Sequence, residues 1–166
     1  MLLEEFNQLP AVDAVSALYG CCHCQTWAEA VSAARPFASI DDLQTRAQYV
    51  WQQASEAEIL EAFSGHARIG DLDLLRSRYA GLATQEQGQV LQASEAVIQE
   101  LYRLNIEYEQ KNGFIFIVCA SGKSAEEMLG LLKARIDNPR ERELTNGARE
   151  QGEITRLRLA KLIDPC

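Results

Sequence analysis

The feature that most constrains this fold is a repeated punctuation: Ser or Thr, followed three residues later by Glu or Gln. It occurs at Ser55 with Glu58, Thr84 with Gln87 and Ser124 with Glu127. In such a box the hydroxyl accepts a hydrogen bond from the backbone N–H three residues on, and the Glu or Gln side chain reaches back to the first N–H. Each box marks a helix start, and each precedes apolar residues at helical spacing. The box at Ser55 opens a helix predicted to end at Ser64-Gly65. The box at Thr84 opens a long one through Val90, Leu91, Val97, Ile98, Leu101, Leu104, Ile106 and Tyr108, closed by Asn112-Gly113. The box at Ser124 opens a helix ending near Asn138-Pro139.

The remaining segments read as helical too. Phe6, Leu9, Val12, Val15 and Leu18 predict one helix ending near Gly20. Trp27, Ala30, Val31 and Ala34 predict another, stopped before Pro36. Ser39 or Asp41 caps a third through Leu43, Ala47, Val50 and Trp51. Residues 71–83 suggest a short helix and a loop. The last helix is expected over about Arg140 to Ile163, with Ile154, Leu157 and Leu162 on one face. GFIFIVCA (113–120) is the one β-like run. A strand needs a partner, so this run is expected to be a buried extended segment. The expectation is an all-α fold: one domain over residues 1–166, with seven to eight helices and no internal repeat or linker.

Composition excludes several classes. At 47% hydrophobic and 24% charged residues, the chain is that of an ordinary globular protein rather than a disordered one. No apolar run approaches the roughly 18–20 residues of a membrane span. A net charge of −8 argues against nucleic acid as a partner. MLLEEFNQLP carries acids and no basic stretch, so no secretory signal is read and a cytoplasmic location is expected. Cys21, Cys22, Cys24, Cys119 and Cys166 are then free thiols. Cys21-Cys22-His23-Cys24 invites a zinc reading, but structural zinc takes two well-separated ligand pairs. Only isolated Cys119 and Cys166 remain for the second pair. No metal is expected, and the thiols are read as small apolar groups in a helical layer.

Three places carry candidate chemistry. His66, in GHARIGD, follows a predicted helix end and is flanked by Arg68 and Asp71. An imidazole titrates near neutrality and can take or give a proton. Glu86, in Thr84-Gln85-Glu86-Gln87, sits in the first turn of the long helix, where the helix dipole favours a carboxylate and free N–H groups meet ligand oxygens. Its bland reading is helix stabilisation alone. Arg156 and Arg158 lie on an amphipathic stretch; turned inward, either guanidinium anchors a carboxylate or carbonyl, and spacing does not choose between them. ASGKS lacks the upstream glycine of a phosphate-binding loop, and no GxSxG, HExxH, EF-hand or dinucleotide fingerprint occurs.

These residues sit in a wider pattern: FNQLP, Cys22 followed by Trp27, ARPFASIDDL (34–43), GHARIGD, the TQEQ box, LNIEYEQKNGFIFIVCASGKS (104–124), RIDNPRERE (135–143) and ITRLRLAKL. In order and spacing the chain resembles the OHCU decarboxylase family of urate degradation, which acts on 2-oxo-4-hydroxy-4-carboxy-5-ureidoimidazoline (OHCU). The resemblance implies an all-α, cofactor-free enzyme, usually a homodimer, whose small-molecule substrate becomes (S)-allantoin and CO2. It places the family's catalytic histidine on His66, its glutamate on Glu86 and its arginine on Arg158, with Arg156 close by. It implies substrate contacts at Ala67, from Ala83 through Thr84, Gln85 and Glu86 to Gln87, and along Val118, Cys119, Ala120, Ser121 and Gly122. Two departures stand out. Ala67 replaces a frequent proline, which loosens the backbone after His66, and Ala83 replaces a frequent serine.

The chemistry fits these residue types. Loss of CO2 leaves an electron pair that the adjacent C=N delocalises, so the substrate carries its own electron sink. The enzyme has to align the carboxylate, stabilise the anion and deliver a proton to one face. His66 is expected as the acid/base, Glu86 and Gln87 as holders of ureido and ring N–H groups, and Arg158 as anchor of a carbonyl. An arginine gripping the departing carboxylate would stabilise the ground state instead. The competing readings are a non-catalytic helical interaction domain and a His/Glu hydrolase of a ureido or cyclic amide bond.

Overall fold

A computed structural model describes residues 1–66 and 88–164, with side chains from residue 95 onward in the second stretch. Eight helices are present among the described residues: α1 (Leu3–Gln8), α2 (Ala11–Tyr19), α3 (Gln25–Ala33), α4 (Ile40–Trp51), α5 (Glu56–Ser64), α6 (Gly88–Asn112), α7 (Ala125–Arg135) and α8 (Arg140–Leu162). No strand occurs among them, so the all-α expectation holds. The chain divides into two compact units, Met1–His66 with Ala148–Cys166, and Ala67–Gly147. No described helix is long and apolar enough to cross a membrane.

Local signals account for most helix ends. Ser55 and Glu58 form the full reciprocal box, as do Ser124 and Glu127. Ser39, rather than Asp41, caps α4, its hydroxyl accepting from the Asp42 N–H at 3.1 Å. The Thr84 box lies outside the described residues. The first predicted helix is two helices, because Pro10 interrupts it. Proline offers no N–H and crowds the preceding turn, so Leu9 turns extended (ψ 144°) and Pro10 precedes α2. Arg35 secures the break, its Nη1 donating to the carbonyls of Phe6 and Leu9, both at 2.8 Å.

The first unit closes on a core of Phe6, Leu18, Trp27, Val31, Leu43, Trp51, Leu159 and Ile163. α2 packs on α3 and α3 on α4. Each buried indole keeps a partner: Trp27 Nε1 donates to the Ala47 carbonyl at 3.0 Å, and Trp51 Nε1 to that of Ala148 at 2.8 Å. Cys21, Cys22 and Cys24 are buried in the same core. Burial pushes the thiols up, Cys21 to about 11 and Cys22 to about 12, so both stay neutral.

In the second unit α6 packs on α7. After Gly113, whose φ of +79° suits glycine, residues 115–120 form neither helix nor ladder, and Phe114, Phe116 and Ile117 are buried. The polar centre of this unit is Glu143, fully buried. Its Oε1 accepts from the Tyr108 hydroxyl at 2.7 Å and Arg135 Nε at 2.8 Å. Its Oε2 accepts from Asn138 and Asn146 Nδ2, both at 2.8 Å. Arg135 also donates to the Ile117 carbonyl at 2.9 Å and lies 4.6 Å over the Phe116 ring. Burial alone would raise the Glu143 pKa, but the donors from Asn138, Tyr108 and Asn146 and the Arg135 charge outweigh it and hold the carboxyl below its usual range.

Glu143→Ala should therefore cost about 3–5 kcal/mol of stability, because it leaves Arg135 buried without its counter-charge. Urea titration checks this. The folded pKa of Glu143 is depressed, so its contribution is complete above the unfolded value of 4.5 and fades as pH falls through the folded one. Wild type should lose stability in that acidic window more steeply than Glu143→Gln.

Candidate active site

His66 is placed by the end of α5. The Gly65 N–H donates to the Ala62 carbonyl at 3.2 Å and the His66 N–H to that of Phe63 at 3.1 Å, so the chain leaves the helix by tight turns. The imidazole is half-buried and faces α8. There Gln151, Thr155 and Arg158 stand at i, i+4 and i+7, on one side of the helix.

The bonds among these groups run in one direction. The Gln151 amide nitrogen donates to Thr155 Oγ1 at 3.0 Å, and the Thr155 hydroxyl reaches the Cys21 carbonyl at 3.5 Å. That orients the amide so that Gln151 Oε1, which can only accept, meets His66 Nε2 at 2.5 Å. His66 Nε2 must therefore carry the hydrogen, and in the neutral ring Nδ1 is left as the acceptor. Arg158 Nη1 donates to the same Cys21 carbonyl at 3.3 Å. Burial lowers the His66 pKa below its ordinary 6.5, and the positive charges of Arg158 and His23 lower it further, against the opposing pull of Gln151. The result is a neutral, oriented base near a permanent cation.

Of the two candidate arginines, Arg158 is the half-buried one and Arg156 is exposed, its carbonyl accepting from Gln44 Nε2 at 2.8 Å. The structure thus brings His66 and Arg158 together. It also corrects the face of the last helix. The buried stripe is Gln151, Thr155, Leu159 and Ile163, at intervals of four, whereas Leu157 is 41% exposed. Sequence reasoning missed Gln151 and Thr155 because it followed apolar residues alone. Four-residue spacing from Ile163 through Leu159 leads to both.

Ala67, Ala83, Thr84, Gln85, Glu86 and Gln87 lie outside the described residues, as do Arg68 and Asp71. Val118, Cys119, Ala120, Ser121 and Gly122 belong to the second unit. Val118 to Ala120 lie outside regular secondary structure and are half-buried. A turn follows, in which the Lys123 N–H donates to the Ala120 carbonyl at 3.1 Å and Gly122 takes φ +73°. Lys123 Nζ closes back on the Cys119 carbonyl at 2.8 Å. No three His, Cys, Asp or Glu side chains converge as a metal ligand set among the described residues.

The model of the OHCU decarboxylase family matches residues 7–160. The chain is 38% identical over 145 residues to the uric acid degradation bifunctional protein TTL of Arabidopsis thaliana, covering 86% of this chain and 45% of that protein. It is 25% identical to the 2-oxo-4-hydroxy-4-carboxy-5-ureidoimidazoline decarboxylase of Haloferax volcanii, over 97% of this chain and 95% of that one. It thus spans less than half the length of the bifunctional relative and nearly all of the Haloferax protein. A crystal structure of OHCU decarboxylase in the presence of (S)-allantoin aligns with a TM-score of 0.70 at 36% identity, covering 87% of this chain and 94% of that chain. An (S)-allantoin synthase structure shares the fold, with a TM-score of 0.75 at 19% identity over 99% of this chain and 54% of that chain. A family match running from residue 7 to residue 160 leaves one conclusion: this chain belongs to the OHCU decarboxylase family.

Proposed function

We propose that the chain decarboxylates OHCU to (S)-allantoin without a cofactor, with His66 as the proton carrier. The observation that carries this reading is a half-buried imidazole whose Nε2–H is committed to Gln151, whose Nδ1 is an acceptor, and which lies near the Arg158 guanidinium.

The proton inventory explains why one such group suffices. As CO2 leaves, its bonding pair enters the ring and the adjacent C=N pair moves onto nitrogen, which takes a proton from solvent. The hydroxyl on the former carboxyl-bearing carbon then gives up its proton and becomes a carbonyl, while the ureido-bearing carbon gains one. An imidazole that accepts the hydroxyl proton at Nδ1 and returns one to the neighbouring carbon closes this exchange. Returning it to one face sets the handedness of the product. Arg158 anchors a ring or ureido carbonyl, away from the departing carboxylate. Glu86 and Gln87 hold the ureido and ring N–H groups, and the backbone of Val118–Gly122 meets the ring. We read the working enzyme as a cytoplasmic homodimer.

His66→Asn should slow CO2 release from freshly generated OHCU by roughly 10²–10⁴-fold, the range of a lost general acid–base. Its circular dichroism should match wild type. A near-normal rate sinks the reading, and product that retains the carboxyl carbon favours a hydrolase. The wild-type rate should fall with acidity at a midpoint below 6.5, because only neutral His66 accepts a proton. Gln151→Glu, which places a carboxylate on Nε2–H, should move that midpoint upward. Gln151→Leu should move it downward and cost roughly 10- to 100-fold in kcat, the equivalent of about 1–3 kcal/mol of lost hydrogen bonding.

A further inference from the structure

The chain's other histidine is His23, in the connection between α2 and α3, and nothing above gives it a task. Its surroundings are specific. The ring stacks on Tyr19, with centroids 4.8 Å apart and planes 5° from parallel. Gly65 is a second close neighbour. A Cβ built on Gly65 would lie 1.7 Å from His23 Nδ1, 2.3 Å from Cγ and 2.5 Å from Cβ, inside any allowed contact. Gly65 has φ −78° and ψ −9°, a conformation open to every residue. Glycine is required there for space alone, and the imidazole occupies that space.

We propose that His23 is a positioning residue for His66: stacked on Tyr19 and set against Gly65, its ring fixes the backbone from which the next side chain projects. The same connection supplies the Cys21 carbonyl that accepts from Arg158 and Thr155. One short stretch, Cys21 to His23, therefore references the imidazole and the guanidinium to the same backbone. A displacement of about 1 Å at a reacting group can cost 10²-fold in rate, so such a reference matters to the chemistry as well as the fold. This inference rests on His66 as the proton carrier.

This packing predicts a non-additive pair. Gly65→Ala must push His23 aside. It should lower kcat roughly 10- to 100-fold with KM little changed. In a His23→Gly background, which removes the ring and its Cβ together, the same substitution should cost far less. His23→Phe keeps a flat ring in the slot and should restore most of the kcat that His23→Ala loses. Equal cost of Gly65→Ala in both backgrounds overturns the proposal, as does a His23→Phe no better than His23→Ala.

A second readout needs no substrate. In any His23 variant the remaining imidazole is His66, so its ring-proton NMR signals are read without ambiguity. The charged groups facing His66 are Arg158 from α8 and His23 from the connection, while the Cys21 and Cys22 thiols are neutral, with pKa values of about 11 and about 12. His23→Phe should raise the His66 titration midpoint by removing one like charge, and Gly65→Ala should shift the His66 resonances. Unmoved signals in both variants overturn the positioning role whatever the enzyme's activity. Moved signals in a protein that releases no CO2 leave the positioning role standing and sink the proposed function instead.

Discussion

The first unit depends on one buried amide. Gln151 is fully enclosed, and an enclosed amide with unmet hydrogen bonds costs about 1–3 kcal/mol per group. Both of its ends are met: the nitrogen by Thr155, the oxygen by His66. Because the nitrogen's partner settles which way the amide faces, the oxygen can present only an acceptor to the imidazole. A stability requirement inside a helix face thereby becomes a protonation rule at the ring, and the rule leaves Nδ1 as its accepting atom.

The second unit uses a buried charge in place of a buried amide. Glu143 gathers donors from α6, α7, the connection after α7 and α8 itself, through Tyr108, Arg135, Asn138 and Asn146. Arg135 also holds the Ile117 carbonyl, one residue before the Val118–Ala120 run. A segment with no strand partner needs such side-chain anchors, since its backbone groups cannot pair in a ladder. In each unit a buried polar group on α8 holds a neighbouring segment: Gln151 the His66 ring, and Glu143, through Arg135, the Ile117 carbonyl.

What could be read from the sequence was what is decided locally. Capping at Ser39, Ser55 and Ser124 involves residues three apart, so the pattern and the structure agree. The break at Pro10 was equally local, yet the regular spacing of Phe6, Leu9, Val12 and Val15 concealed it. The place of His66, just past the end of α5, was legible because the helix stop at Ser64-Gly65 is local. Gln151, Thr155 and the packing of His23 on Gly65 were not, since each gains its meaning from a partner 42 to 134 residues away. Gly65 looked like a helix terminator, and its need for space shows only when the imidazole is in place.

The handedness of allantoin made from freshly generated OHCU, followed by circular dichroism with and without the protein, tests the central claim most directly. A proton delivered from one oriented imidazole gives the (S) enantiomer in excess from the first turnover, while the uncatalysed reaction gives a racemate. Racemic product formed at an accelerated rate would contradict the account, because it would mean that CO2 is lost on the enzyme and the proton is acquired elsewhere.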